Sequence, residues 1–172
     1  MQRRDFIKGV GVGSLALGAG IRTAEAADFR WKMVTTWPKN FPGLGTGANK
    51  LADLIGEMSG GRISIKVYGA TELVPPFEVF DAVSRGTAEM GHGAAYYWKG
   101  KSEAAQFFST VPFGMTAREM NGWLYHGGGL ELWTELYAGF GLVPAPAGNT
   151  GVQMGGWFNK EINSVADLSG LK

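Results

Sequence analysis

From Arg30 to His92 the apolar residues change their spacing in a fixed rhythm, strand-like, helical, strand-like, helical, strand-like, and this rhythm constrains the fold more than anything else in the chain. Residues 30–36 form a short apolar and β-branched run that Trp37-Pro38 stops. After a turn-rich stretch, 39–47, the residues Leu51, Leu54, Ile55 and Met58 fall at i, i+3, i+4 and i+7, one face of a helix closed by Gly60-Gly61. Residues 62–68 alternate polar and apolar strictly, with Ile63, Ile65 and Val67 on one side, as a half-buried strand does, and Gly69 ends them. Pro75-Pro76 opens a second helix, where a missing N–H costs nothing; Phe77, Phe80 and Val83 line it and Gly86 terminates it. Residues 88–92 are small and strand-like and run into a glycine-lined loop. A β-α-β-α-β order requires a mostly parallel sheet with helices on its faces.

Beyond this unit the pattern changes. Thr116-Ala117-Arg118-Glu119 is a capping box. Met120, Trp123 and Leu124, then Trp133, Leu136, Tyr137 and Phe140, predict two helices interrupted at Gly127-Gly128-Gly129. Residues 142–147 and 152–158 predict two further extended segments flanking Gly148-Asn149-Thr150-Gly151. The division expected is therefore a leader over 1–26, an α/β domain over 27–141, and crossover strands over 142–172 that lead into an incomplete second domain.

The first 26 residues read as an export signal rather than as part of the fold. Arg3, Arg4 and Lys8 precede an uncharged apolar stretch, and Ala24-Glu25-Ala26 is a small-x-small cleavage site. The apolar stretch is shorter than the ~20 residues that span a bilayer. Arg3-Arg4-Asp5-Phe6-Ile7-Lys8 resembles a twin-arginine signal; an ordinary secretory signal is the alternative, and either route ends in the periplasm. Without the leader, 12 basic and 13 acidic residues remain. A nearly neutral chain has no field to attract nucleic acid or lipid headgroups, so the expected partner is a small molecule or another protein.

Catalytic patterns fail one by one. There is no cysteine, which excludes a thiolate nucleophile, a thiolate zinc site and an iron–sulfur cluster. No serine has the Gly-x-Ser-x-Gly environment of an esterase. Gly100-Lys101-Ser102 ends like a phosphate loop, but Ala95 stands where its first glycine belongs. Gly43-Leu44-Gly45-Thr46-Gly47-Ala48 comes nearer to a dinucleotide fingerprint, yet six residues separate it from the preceding strand. His92 and His126 lack a second ligand at helical spacing and read as hydrogen-bonded structural or surface residues.

What remains is a set of aromatic and amide groups in loops between extended segments: Trp37 and Phe41, then Tyr96-Tyr97-Trp98, then Asn149 and Gln153. Ligands of open α/β sheets bind at the carboxyl ends of strands, where these three groups are expected to share one pocket. Amides can satisfy an oxygen-rich ligand or offer oxygen to a hard cation, while aromatics form walls and exclude water.

Three long segments carry a resemblance. Residues 36–43 (Thr-Trp-Pro-Lys-Asn-Phe-Pro-Gly), 91–100 (Gly-His-Gly-Ala-Ala-Tyr-Tyr-Trp-Lys-Gly) and 146–158 (Pro-Ala-Gly-Asn-Thr-Gly-Val-Gln-Met-Gly-Gly-Trp-Phe) are similar to the extracytoplasmic solute receptors of TRAP (tripartite ATP-independent periplasmic) transporters, in the branch that binds 2-oxo acids such as pyruvate. The resemblance implies a periplasmic-binding-protein-like two-domain α/β clamp. Such a clamp closes on a monocarboxylate with a bound cation, sodium or similar, and passes the solute to a small and a large membrane subunit. By position, Asn149, Gln153, Tyr96 and Tyr97 would contact the solute, Gln153 would also hold the cation, and Phe41 is a further contact. The family implies roughly twice this length, a carboxylate-clamping arginine beyond Lys172 and a long C-terminal helix that forms homodimers. The second domain is thus expected to be largely missing here and the protein to be a carrier, not an enzyme. A dehydrogenase using residues 43–48 and an exported structural domain without ligand are the rival readings.

Overall fold

The computed structural model describes residues 27–171; the leader expected over 1–26 lies outside the described residues. Three strands, β1 (Phe29–Thr35), β2 (Ile63–Tyr68) and β3 (Met90–His92), form a parallel sheet in the order β2-β1-β3. Phe29 pairs with Ile63 and Val34 with Tyr68 on one side of β1, and Met33 with Met90 and Thr35 with His92 on the other. Pleating puts Arg30, Lys32 and Val34 on one face with Ser64, Lys66 and Tyr68, and Trp31, Met33 and Thr35 on the other with Ile63, Ile65 and Val67.

Helix α1 (Leu44–Met58) joins β1 to β2, and a 3-10 turn (Pro76–Glu78) followed by α2 (Val79–Ser84) joins β2 to β3. The chain leaves β1 toward one side and returns across it to the other. Right-handed crossovers then require α1 and α2 to lie on opposite faces. α2 packs flush on the sheet, because a Cβ on Gly91 would lie 2.9 Å from Val79 Cγ1 and 3.0 Å from Val83 Cγ2. Its Val79, Phe80 and Ala82 form the core with Val34, Ala88, Trp98, Ala105 and Tyr137.

α1 departs from expectation twice. It begins at Leu44, inside the glycine-rich stretch read as turn. Gly43 takes the left-handed turn into the helix at φ 79°, and at Gly45 a Cβ would stand 2.8 Å from the Pro38 carbonyl. The glycines there permit a tight entry and a close approach rather than a loop. The packed side is also not the predicted stripe: Gly45, Ala48 and Ala52 are buried, whereas Met58 is 86% exposed. Small residues let the helix come close to β2, and a Cβ on Gly56 would lie 3.6 Å from the Ile63 carbonyl.

Helices α3 (Ala117–His126) and α4 (Gly129–Ala138) follow a 3-10 segment, Glu103–Phe108. Thr116 Oγ1 accepts the Glu119 N–H at 3.4 Å and Glu119 Oε2 accepts the Thr116 N–H at 2.8 Å, which is the predicted capping box. Phe108 stacks on both Trp123 (5.7 Å) and Trp133 (5.5 Å) within a second cluster that includes Ala95 and Leu124. Ser84 Oγ donates to the Phe140 carbonyl at 2.6 Å and ties this helical layer to α2.

The stretches 142–147 and 152–158, expected as crossover strands, are not strands. Among the described residues their backbone joins no ladder, and nearly every side chain from 143 to 171 is exposed. Apolar, β-branched composition supplies the propensity, but a strand exists only where a neighbouring edge accepts its N–H and C=O groups. The sole helical feature here is a 3-10 turn, Val165–Leu168, capped by Ser164 and Asp167. No helix among the described residues is long and apolar enough to cross a membrane.

Candidate functional site

Strand order reverses between β1 and β3, so the crevice beyond their carboxyl ends is the topological switch point of the sheet. Two short segments supply its side chains: Thr36 and Trp37 after β1, and Gly93 to Trp98 after β3, the latter coiled into a 3-10 turn over Ala95–Trp98. The Thr36 N–H donates to the His92 carbonyl at 3.0 Å, which extends the pairing by one residue and fixes the two exits side by side. Gly93 is required there. A Cβ on it would meet Thr36 Cγ2 at 2.9 Å and the Trp98 ring at 3.3 Å.

The Trp37 indole Nε1–H donates to His92 Nδ1 at 2.6 Å, with the rings edge to face at 6.1 Å. Trp37 also lies 6.0 Å from the Tyr97 ring, which contacts Tyr96 at 4.5 Å and Phe77 at 5.3 Å. Burial pushes the Tyr97 hydroxyl up to about 12, with a further push from Tyr96, and burial alone lowers the His92 imidazole from its ordinary value. Both side chains therefore stay neutral near pH 7. Thr36 Oγ1 is shielded from solvent and has no hydrogen-bond partner among the described residues.

The loop after β1 is pinned from below. The Ala70 N–H donates to the Trp37 carbonyl at 2.7 Å, and Thr35 Oγ1 donates to the same oxygen at 2.9 Å. Lys39 pairs with Glu72 at 2.8 Å, and Glu72 also accepts the Gly69 N–H at 2.7 Å. The Lys39 ammonium and this N–H hold the Glu72 carboxyl below the usual carboxylate range. Asn40 adopts φ 57°, and its Oδ1 accepts the Asn49 Nδ2 at 2.9 Å, anchoring the turn to α1.

Of the residues singled out from sequence, Tyr96 and Tyr97 join Trp37 in one aromatic cluster. Phe41 lies in the same loop as Trp37, but its ring is exposed and pairs with no other aromatic ring among the described residues. Its backbone is what works: the Phe41 carbonyl accepts the Gly45 and Thr46 N–H groups and so starts α1. Asn149 is exposed, its Oδ1 turned back on the Gly151 N–H at 3.1 Å, and Gln153 is exposed without a hydrogen bond among the described residues. Neither is in hydrogen-bond contact with the tyrosines. Two open grooves elsewhere, of about 430 and 400 Å³, are lined by Arg30, Lys32, Ser64 and Lys66, and by Trp157, Phe158 and Lys160.

The amide oxygen of Gln153 suits a hard cation, which takes six or more oxygens. One amide does not make such a shell. The described residues also contain no group of three or more His, Asp or Glu able to hold a metal ion. His92 is hydrogen-bonded, as the sequence reading allowed, but its partner Trp37 was not named there. The signal was present in its placement, since Trp37 and His92 end neighbouring strands, but reading it required the strand order.

A parallel sheet with aromatic and polar groups gathered at its switch point is the arrangement of a small-molecule-binding α/β lobe. Comparison with known proteins places it further. The family described as bacterial extracellular solute-binding protein, family 7, matches residues 33–172, and the chain belongs to that family. A monocarboxylate 2-oxoacid-binding periplasmic protein of Nostoc sp. is 51% identical over 151 residues, covering 87% of this chain and 41% of that one. A TRAP periplasmic solute-binding protein of Pseudoalteromonas atlantica T6c, solved with sodium and pyruvate, is 50% identical with a TM-score of 0.80, over 83% of this chain and 44% of that one. A TRAP periplasmic solute-binding protein of Colwellia psychrerythraea, solved with calcium and pyruvate, is 49% identical with the same TM-score and coverage. The chain thus spans less than half the length of these relatives.

Proposed function

We propose that this chain forms the first lobe of a TRAP-transporter solute receptor that captures a small 2-oxo monocarboxylate such as pyruvate, with a hard cation, and delivers it to the small and large membrane subunits. The observation that carries this reading is the Trp37–His92–Tyr97–Tyr96 cluster at the β1/β3 switch point, in a chain half identical to receptors solved with pyruvate. Tyr96 and Tyr97 form the wall against the solute. Asn149 and Gln153 supply amides from the 142–172 segment once it crosses to a second lobe, Gln153 also serves as one cation ligand, and Phe41 flanks the entrance. The lobe boundary falls at 141/142, and the leader over 1–26 sends the protein to the periplasm by the twin-arginine route. The receptor performs no catalysis, and its longer form pairs as a homodimer.

The resemblance puts the carboxylate-clamping arginine beyond residue 172. A bidentate guanidinium contact contributes on the order of 1.5–3 kcal/mol. Pyruvate calorimetry is therefore expected to give very weak binding or none by the 172-residue chain. The same chain continued by the second lobe of its Pseudoalteromonas relative should bind. Tight binding by the chain alone would refute the division of the site between lobes. No binding by the continued chain, or pyruvate-dependent oxidation of a nicotinamide cofactor, would refute the receptor reading.

A further inference from the structure

We propose that His92 is the positioning residue of the solute pocket: by accepting the Trp37 indole N–H it fixes that ring at the ends of β1 and β3, and its protonation frees the ring and weakens solute capture. The inference rests on the receptor reading above and adds to it a residue that does not itself touch the solute.

The bond defines a tautomer. An indole N–H has no lone pair to offer, so at 2.6 Å the His92 Nδ1 must be the acceptor and its proton must sit on Nε2. A proton added to the ring goes to Nδ1, where it meets the Trp37 N–H head on. Two donors cannot share that contact, so the indole, the imidazole or both must turn away. The displacement then reaches the proposed solute wall, because Trp37 packs on Tyr97, and Tyr97 on Tyr96 and Phe77.

Nothing around the ring softens the conflict. The loop after β1 contributes Trp37 and the unpartnered Thr36 hydroxyl. The turn over residues 95–98 contributes Tyr96 and Tyr97, and the segment before α2 contributes Phe77, which contacts Tyr97. None of these carries a charge near neutrality. Lys39 of the loop after β1 and Glu72 of the turn after β2 are exposed and paired with each other. Burial alone lowers the His92 imidazole from its ordinary value, so the charged ring is the disfavoured form here. A histidine placed here keeps the pocket closed to protonation at neutral pH and opens it to disruption in acid.

The test separates pairing from capture. In the 15N-labelled 172-residue chain, the Trp37 indole N–H resonance is expected to move between pH 7.5 and 5 in step with the His92 ring nitrogens, and His92→Gln, whose amide oxygen accepts the same bond without titrating, should abolish that movement. In the continued chain, pyruvate affinity is expected to fall about tenfold as His92 titrates, the scale of losing a buried hydrogen bond. His92→Phe should lower affinity at pH 7.5 by a similar factor, and His92→Gln should restore most of it with a flat pH profile. An indole resonance unmoved by His92 titration overturns the proposal, even if His92→Phe fails to fold. So does a His92→Gln protein with the wild-type pH profile. If the indole titrates as expected while the wild-type continued chain binds no pyruvate at either pH, the pairing is supported and the receptor reading fails.

Discussion

Gly47 and Gly91 show how one residue type serves opposite ends within this lobe. A Cβ on Gly91 would press into Val79 and Val83 of α2, whose backbone cannot retreat without opening the core around Val34 and Phe80. Gly91→Ala should therefore cost about 1–3 kcal/mol by overpacking. Gly47 lies within α1, and a Cβ there meets nothing within 4 Å. Gly47→Ala should gain about 0.5–1 kcal/mol, because glycine in a helix loses more backbone freedom on folding than alanine does. Urea melts of the two variants should move in opposite directions, and a stabilised Gly91→Ala would show that α2 is not seated on β3 as described. His92 makes a prediction of the same scale. Its folded value lies below the ordinary 6.5, so between the two the unfolded chain binds the extra proton. The stability that its neutral form contributes is fully present above about pH 6.5 and is lost as pH falls through the folded value. Glu72, Glu89, Glu119 and Asp167 are lowered from their ordinary values and lose their contribution only in the carboxylate range below. Urea midpoints should thus begin to fall just below pH 6.5 in the wild type, and the fall in that first window should disappear in His92→Gln.

Elements differ in how much of them a sequence carries. β2 was legible because Ile63, Ile65 and Val67 alternate with polar residues and the observed burial follows the same period. α3 was legible because Thr116 and Glu119 stand three apart, and the bonds they form are short-range ones that the residue types dictate. Removing the Oγ1 acceptor in Thr116→Ala should cost about 1 kcal/mol and shorten α3 at its first turn. A thermal melt and the amide exchange of Glu119 would check both parts. An unchanged exchange rate would mean that the cap is not formed in solution. The start of α1 was not legible, since its glycines answer to Pro38 and Asn40, whose positions depend on how the loop after β1 folds back. The same limit governed the site. That Tyr96 and Tyr97 stand near Trp37 could be expected because they follow a strand, whereas the Trp37–His92 bond depends on β1 and β3 becoming neighbours, a fact that belongs to the strand order.

At the scale of the whole molecule, apolar burial stops where the helical layer ends. Leu142 is the last side chain packed against the core, through its contact with the cluster around Phe80 and Tyr137. Beyond it Val143, Val152, Met154 and Trp157 are all more than two-thirds exposed, and backbone-to-backbone hydrogen bonds do not resume until the turn at Ser164. A segment with so few buried contacts has little free energy tying it down, so it should open independently of the lobe. The resemblance accounts for its composition: apolar residues that suit strands between two lobes have no edge to join among the residues described here. Limited proteolysis of the chain should therefore cut first between residues 143 and 160, and a chain ending at residue 147 should melt within a few degrees of the 172-residue chain, because it keeps Leu142 and both clusters. In the chain continued by a second lobe, the same bonds should become resistant, and more so with pyruvate present, since ligand bound only to the folded state adds its binding energy to the cost of opening. Early cleavage within residues 29–140 instead, or a large drop in melting temperature on ending the chain at 147, would show that the 142–171 segment helps hold the lobe together, and the boundary at 141/142 would then be misplaced.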